Sequence, residues 1–256
     1  MSKKVLILSM SCNQERYINE ENAIRQTWGK EVLEGKYDNI ELLFYRGGSD
    51  STYLEKDVLH LTSDDTLFGT YQKTMDCFKW LVENKEFDYI IRTNTSTYIN
   101  IDAIQQFLSL KNIQKDTIFC PHLTINGLSK YTPYGGGHYL IIPKNIITDI
   151  FLMYKHLNLN GIDDAIMGLL MGAYYGYKYF EEHILQIDSV SDIKQYCPNE
   201  LNKAWCIRIK DESNSENNIT NMINFHTLYK NIKTQIKPPH GFTKIYTIYG
   251  KIPIDA

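Results

Sequence analysis

Residues 89–100 read YIIRTNTSTYIN, an apolar run that passes directly into a polar one. A short, continuous run of β-branched and aromatic residues is typical of a strand buried on both faces of a sheet. Residues 5–8, VLIL, have the same character and lead into the polar stretch SMSCN. We therefore expect two buried strands, each with a polar loop at its carboxyl end.

Strands and helices alternate outward from these two segments. The apolar patterns predict strands at 5–8, 40–45, 58–61 and 89–91, and helices at about 19–30, from 63–65 onward, and at 101–110. The less regular second half predicts strands at 117–120 and 139–142, a helix at 163–174 and a polar loop at 211–218. This alternation predicts an α/β fold with a Rossmann-like, mostly parallel central sheet flanked by helices, and ligands at the carboxyl ends of the strands.

Composition limits the classes of function. The chain has 256 residues, of which 43% are hydrophobic, enough for one large α/β domain. Its formal net charge of −3 argues against a nucleic-acid partner, because a surface that follows phosphates needs clustered lysine and arginine.

The amino-terminal segment and the cysteines predict the location. The apolar run at 5–10 is too short for a transmembrane helix and lacks a small-residue cleavage site. The five cysteines are odd in number and form no CxxC pair, which argues against a zinc ribbon or a complete disulfide framework. We expect no membrane span and a cytoplasmic location, and the abundance of Asn, Ile, Lys and Tyr favours a bacterium or a virus-infected host cell.

Two segments of the first half combine charged and aromatic residues on predicted helices. Residues 24–28, IRQTW, place Arg25 and Trp28 three positions apart, where Arg25 would meet a phosphate. On spacing alone, a buried Trp28 and an ion-paired Arg25 are the more common arrangement. Residues 65–74, DTLFGTYQKT, are followed by Trp80.

In this order, the segments resemble motifs of the β-1,3-galactosyltransferase and fringe superfamily. That family has an IRxTW helix, a DxYxNLTxKT helix and a KxDDDxFxN strand, and residues 92–100 match the flanks of the third motif. Asn94, Thr95 and Ser96 replace its three acids. Later segments, PYGGGHY at 133–139, DDAIMG at 163–168 and NFH at 224–226, resemble the acceptor turn, the catalytic acids and a late FH motif.

The resemblance covers residues 5–229 and implies a single GT-A glycosyltransferase domain over residues 1–256. Residues 1–115 would form the nucleotide-sugar-binding half, residues 116–240 the acceptor-binding and catalytic half, and residues 241–256 a tail. The implied activity is the inverting transfer of a sugar from a nucleotide sugar, with UDP as the expected nucleotide, to a hydroxyl of a glycan or glycoprotein. The product would be β-linked, and the oligomeric state stays open.

The resemblance also assigns the site residues. It gives Asp164 the role of catalytic base with Asp163 beside it, although acids at this place also favour the start of a helix. The residues expected to bind the sugar donor are Ser9, Arg25, Thr27, Lys73, Arg92, Asn94, Thr95, Ser96 and His226. Those expected to bind the acceptor are Tyr134, Gly136, Gly137 and His138.

The loss of the three acids affects the expected metal chemistry. In the family these carboxylates hold a divalent cation against the diphosphate, and Asn94 and Ser96 do not supply that charge. We therefore expect no metal ligands and no required cofactor, with weak binding of Mn²⁺ or Mg²⁺ left open. Fixed cations would meet the diphosphate instead, with candidates at Arg25, Lys73, Arg92 and His226.

Two other functions compete with this interpretation. The first is a non-catalytic relative that binds a nucleotide sugar or a glycan, which the missing acids favour and the retained Asp163 and Asp164 oppose. The second is a Rossmann-type dehydrogenase. The absence of a GxGxxG motif after the first strand argues against it.

Overall fold

The computed structural model describes residues 3–109, 118–120, 123–124, 134–154, 161–164, 166–167, 177–179, 184–187, 201, 204–211, 214–233 and 246–248. The strands are β1 Val5–Met10, β2 Ile40–Arg46, β3 Tyr53–Glu55, β4 Val58–His60, β5 Tyr89–Asn94, β6 Thr97–Ile99, β7 Ile118–Cys120, β8 Leu123–Thr124, β9 Tyr134–Gly135, β10 Tyr139–Pro143, β11 Tyr177–Tyr179, β12 Ile184–Ile187, β13 Cys206–Ile209 and β14 Tyr246–Ile248. The helices are α1 Glu15–Gln26, α2 Lys30–Leu33, α3 Thr70–Asn84, α4 Ile101–Ser109, α5 Lys144–Tyr154 and α6 Asn217–Lys233.

Nine strands of the described chain form one mixed sheet in the order β14-β11-β7-β10-β5-β1-β2-β4-β3. Its centre is parallel, because β1 pairs in parallel with both β2 and β5. Met10 lies opposite both Tyr45 and Asn94, so the carboxyl ends of these three strands meet at one edge. The predicted α/β fold with a largely parallel centre is confirmed.

Both faces of the sheet are covered by helices. Along β1, Val5 and Ile7 belong to a core that includes Ile24 of α1, whereas Leu6 and Leu8 belong to a core on the other face that includes Phe78 of α3. Successive side chains of a strand point to opposite faces, so a strand covered on both sides has a continuous apolar sequence. Burial of each such side chain stabilises the fold by roughly 1.5–3 kcal/mol.

A second sheet, in the order β12-β13-β6, lies beside the carboxyl end of β5. Strand β6 pairs antiparallel with β13, which places Arg208 opposite Thr97. The backbone N–H of Ile209 donates to the carbonyl oxygen of Ser96 at 2.9 Å. This small sheet therefore fixes residues 206–210 next to the turn at 94–96.

Several predicted boundaries differ from the structure. Strand β5 continues to Asn94, although residues 92–94 were expected to form a loop, and α1 begins at Glu15 instead of residue 19. Helix α3 begins at Thr70 instead of 63–65, after the 3-10 turn Leu67–Gly69.

In the second half, α6 begins inside the predicted loop at 211–218, and β14 lies inside the predicted tail. Of the predicted helix at 163–174, residues 163–164 and 166–167 are helical, and the remainder lies outside the described residues. None of the helices in the described ranges is long and apolar enough to span a membrane.

Candidate active site

A cavity of about 1060 Å³ opens at the carboxyl ends of β1 and β5. Asn94, Thr95 and Ser96 form part of its wall, together with Lys73 and Arg92. Gly136, Gly137, His138, Asp163 and Asp164 also line it, so the cavity collects most of the residues predicted from the sequence.

Arg92 and Asp163 form an ion pair at the back of this cavity. The Arg92 Nη2 atom lies 2.5 Å from the Asp163 Oδ2 atom, and each side chain is 2% exposed. Thr74 donates a second hydrogen bond to Asp163 Oδ2 at 3.1 Å. Burial raises the pKa of Asp163, and the nearby Arg92 charge partly opposes that shift. Asp163 is therefore a structural partner of Arg92 rather than a second base exposed to substrate.

Asp164 is half-buried and lies on the cavity wall. Its Oδ2 atom accepts a hydrogen bond from the backbone N–H of Gly137 at 2.9 Å. A Cβ atom on residue 137 would lie 2.6 Å from Arg92 Nη1 and 3.1 Å from Asp164 Oδ2, so only glycine fits there without a shift. The two neighbouring acids thus have different environments, and Asp164 is the one that presents a carboxylate to the cavity.

Lys73 forms a second buried ion pair. Its Nζ atom lies 2.7 Å from Asp65 Oδ1 and donates to the carbonyl oxygen of Ser11 at 2.8 Å. Asp65 also accepts the backbone N–H groups of Asn13 at 2.8 Å and Gly47 at 2.9 Å. These bonds hold the loops after β1 and β2 together, and they explain why Asp65 does not begin a helix.

Oxygen atoms of the 94–96 turn are already engaged inside the protein. Asn94 Oδ1 accepts hydrogen bonds from Ser96 Oγ at 3.1 Å and Thr97 Oγ1 at 2.8 Å. The Thr95 hydroxyl donates to the carboxylate of Glu20. Across the described residues, no three His, Cys, Asp or Glu side chains are arranged to hold a metal ion. Since Mg²⁺ and similar cations need several oxygen ligands, this turn does not fit the divalent ion that the family resemblance implies.

Glu20 is a buried residue of the cavity wall that the sequence did not reveal. Its Oε1 atom accepts a hydrogen bond from Asn218 Nδ2 at 2.8 Å and lies 3.4 Å from Arg16 Nε. Together with its bond to Thr95, these contacts connect α1 and α6 to the 94–96 turn. Glu20 thereby fixes the turn that replaces the family's acids.

Arg208 and Lys210 also line the cavity and were missed by the sequence analysis. Both lie in the stretch CIRIK at 206–210, where apolar and basic residues alternate. That alternation was the available signal, since it is typical of a strand with one buried and one polar face. The sequence does not show that the polar face of this strand lines the cavity, which is revealed only by the fold.

Arg25 and Thr27, which were expected to bind the sugar donor, do not lie on this cavity. Arg25 Nε lies 2.7 Å from Asp57, Arg25 Nη2 lies 3.0 Å from Glu21, and the guanidinium stacks on Phe44. The Thr27 hydroxyl is buried and donates within its own helix, to the carbonyl oxygen of Ala23 at 2.7 Å. Both residues stabilise α1.

His226 lies in a separate cavity of about 300 Å³, which Trp28 and Tyr229 also line. Its Nδ1 atom is 2.9 Å from the Tyr98 hydroxyl. Burial, together with the positive charge of Lys230, lowers the pKa of His226 from 6.5 to about 4. The structure therefore places His226 outside the large cavity, and its contact with the diphosphate stays a prediction.

The other predicted residues are placed as follows. Ser9, which was expected to bind the donor, is buried within β1 and does not line the cavity. Gly136, Gly137 and His138 line the cavity immediately before β10, which pairs with β5. The side chain of Tyr134 lies outside the described residues.

Comparisons of sequence give weak but consistent relatives, while no protein-family profile matches the chain. The chain is 21% identical to mouse UDP-GalNAc:beta-1,3-N-acetylgalactosaminyltransferase 2, over 61% of this chain and 34% of that protein. It is 22% identical to human beta-1,3-galactosyltransferase 5, over 65% of this chain and 62% of that protein. The chain therefore spans about a third of the length of the first relative.

Comparison of structures supports the fold. The chain matches the crystal structure of a glycosyltransferase involved in the glycosylation of the major capsid of PBCV-1 with a TM-score of 0.52 and 11% identity. The match covers 86% of this chain and 98% of that one. The chain thus has the GT-A glycosyltransferase fold, and its sequence resembles the β-1,3-galactosyl- and N-acetylgalactosaminyltransferases.

Proposed function

We propose that this protein is an inverting glycosyltransferase that moves a sugar from a nucleotide sugar to a hydroxyl of a glycan acceptor. The observation that carries the proposal is the Asp164 carboxylate on a cavity at the carboxyl ends of the central strands. Ligands of open α/β sheets gather at this edge. Because the name of one relative contains UDP-GalNAc, UDP is the first nucleotide to test.

Asp164 would act as the general base. It would take the proton of the acceptor hydroxyl while that oxygen attacks the anomeric carbon of the donor. The bond from the anomeric carbon to the diphosphate oxygen breaks with its electron pair on the leaving diphosphate, and the configuration inverts. A positioned base of this kind accelerates transfer by about 10²- to 10⁴-fold.

The surroundings of Asp164 support that role. The Gly137 N–H holds one carboxylate oxygen in place, and the Arg92–Asp163 pair fixes the adjacent backbone. Neither contact removes Asp164 from the cavity wall. Asp163 is a positioning residue in this scheme.

The variant Asp164→Asn tests the proposal. We expect sugar transfer, or slow hydrolysis of the nucleotide sugar, to fall by about 10²- to 10⁴-fold. The affinity for the nucleotide sugar should change little, because an amide keeps the size of the carboxylate. Turnover is measured with a panel of UDP-, GDP- and ADP-sugars in the presence of EDTA.

Asp38→Asn is the matched control, since Asp38 is exposed and lies outside the cavity wall. Equal turnover in wild type and Asp164→Asn would contradict the proposed base. The neutral 94–96 turn keeps a second function under test, a non-catalytic protein that binds nucleotide sugars. Binding of a nucleotide sugar without any turnover across the acceptor panel would favour that function.

A further inference from the structure

The cations of the cavity differ in whether their charge is already neutralised. A leaving nucleoside diphosphate carries negative charge that must be opposed by fixed cations or a metal ion. Arg92 is paired with Asp163, and Lys73 is paired with Asp65. Each pair has no net charge, so the wall built by β5 and α3 offers little positive charge to a ligand.

Arg208 is in a different situation. Its Nε atom is buried and has no hydrogen-bond partner among the described residues. Nor does Arg208 form a salt bridge with any carboxylate in the described ranges. The Nε atom of Arg92 is also unpartnered, but the charge of that guanidinium is matched by Asp163. An unsatisfied buried donor costs free energy that a bound ligand would recover.

Lys210 lies two residues after Arg208, where strand geometry directs side chains to the same face. Both residues line the large cavity. The pairing of Arg208 with Thr97, and of the Ile209 N–H with the Ser96 carbonyl oxygen, places both cations next to the 94–96 turn. Arg208 and Lys210 therefore lie beside the turn at which the family's acids are missing, and Arg208 is the one whose buried Nε atom has no partner among the described residues.

Asn94 fits the same arrangement. Its side-chain oxygen already accepts two hydrogen bonds, from Ser96 and Thr97. Asn94 lines the cavity, and its amide nitrogen is a hydrogen-bond donor. A donor suits a phosphate oxygen and does not suit a metal ion.

We propose that Arg208 binds the diphosphate of the nucleotide sugar beside Asn94, at the turn where the resembling family carries its carboxylates. This inference rests on the proposed function. The Arg208 guanidinium carries a fixed positive charge, and its planar shape allows it to contact two phosphate oxygens at once.

Calorimetric titration in EDTA tests this role of Arg208. The probe is whichever of UDP, GDP and ADP binds wild type most tightly, compared with its own nucleoside. For Arg208→Gln we expect the affinity for the nucleoside diphosphate to fall by about 10- to 150-fold, the loss typical of a charge-assisted contact. The affinity for the nucleoside should change less than about twofold, and Arg208→Lys should retain an intermediate affinity.

Lys30→Gln is the control for loss of one positive charge, since Lys30 is exposed on α2 and lies outside the cavity wall. An unchanged affinity of Arg208→Gln for the nucleoside diphosphate would overturn the inference and leave the proposed function intact. Equal losses for nucleoside and diphosphate would also overturn it, because Arg208 would then only shape the cavity. Failure of wild type to bind any nucleoside diphosphate or nucleotide sugar would overturn the proposed function itself.

Discussion

The two walls of the cavity hold their arginines in different environments. On the first wall, Arg92 of β5 is buried against Asp163 at 2.5 Å. On the second wall, Arg208 of β13 has a buried Nε atom with no partner among the described residues. Each arginine follows an isoleucine within a strand, so the local sequences look alike. The difference is that the first charge stabilises the scaffold and the second is left for a ligand.

The adjacent acids Asp163 and Asp164 show the same division. Asp163 is fully buried against Arg92, whereas Asp164 is half-buried, accepts a hydrogen bond from the Gly137 backbone N–H and faces the cavity. A charge that lines a cavity is therefore not by itself a sign of ligand binding. Its internal partner decides what it does.

The largest effect on stability is expected for Arg92→Met. This change leaves Asp163 buried without its cation, and breaking such a pair costs about 3–5 kcal/mol. The double variant Arg92→Met/Asp163→Leu should recover most of that loss, because apolar side chains of similar size replace the pair. Free energies of unfolding from urea titrations give both values.

Arg208→Met is the matched change on the second wall. With no internal partner to leave unpaired, it should alter the free energy of unfolding by no more than about 1 kcal/mol. If the two arginines contributed equally to stability, the contrast between the walls would be wrong.

A smaller effect is expected for Gly137→Ala. The added Cβ would lie 2.6 Å from Arg92 Nη1, and overpacking of this kind costs about 1–3 kcal/mol. The same change made in Arg92→Met should cost less, because the crowded guanidinium is absent. An equal cost in both backgrounds, measured by urea unfolding, would show that the close approach to Arg92 is not its cause.

The smallest effect concerns His226, which lies on neither wall. Its pKa of about 4 in the folded protein is below the ordinary 6.5. A depressed pKa contributes stability that is present above pH 6.5 and is lost as the pH falls through 4. Wild type should therefore lose stability more steeply than His226→Gln over this range.

Urea titrations at several pH values measure that difference. The affinity of His226→Gln for nucleoside diphosphate should equal that of wild type at pH 7. Parallel pH profiles would contradict the depressed pKa of His226, and a large loss of affinity would support its contact with the diphosphate.

Much of the fold was predictable because its central strands are covered on both faces and are therefore continuously apolar. The end of β5 was not predictable, because a charged residue such as Arg92 is typical of a loop. Its partner, Asp163, lies far along the chain and is revealed only by the structure. The start of α3 was missed for a similar reason, because Asp65 binds the backbones of Asn13 and Gly47 instead of beginning a helix.

Local motifs predicted residues that the structure places on the cavity wall, such as Asp164 and Gly137. The structure places Arg25 and His226 away from that cavity, and motif position does not reveal that one pairs with Asp57 and the other with Tyr98. Arg208 was missed because its relation to the 94–96 turn depends on the pairing of β13 with β6. Such long-range pairing leaves only a weak alternation in the sequence.

The most direct test of the account is the affinity of wild type for its nucleotide sugar, measured by calorimetry in EDTA and again with Mn²⁺, with turnover followed under both conditions. If fixed cations oppose the diphosphate, affinity and turnover in EDTA should match those with Mn²⁺ within about twofold, since no charge then depends on a metal. Binding or sugar transfer that occurs only with Mn²⁺ would contradict the account.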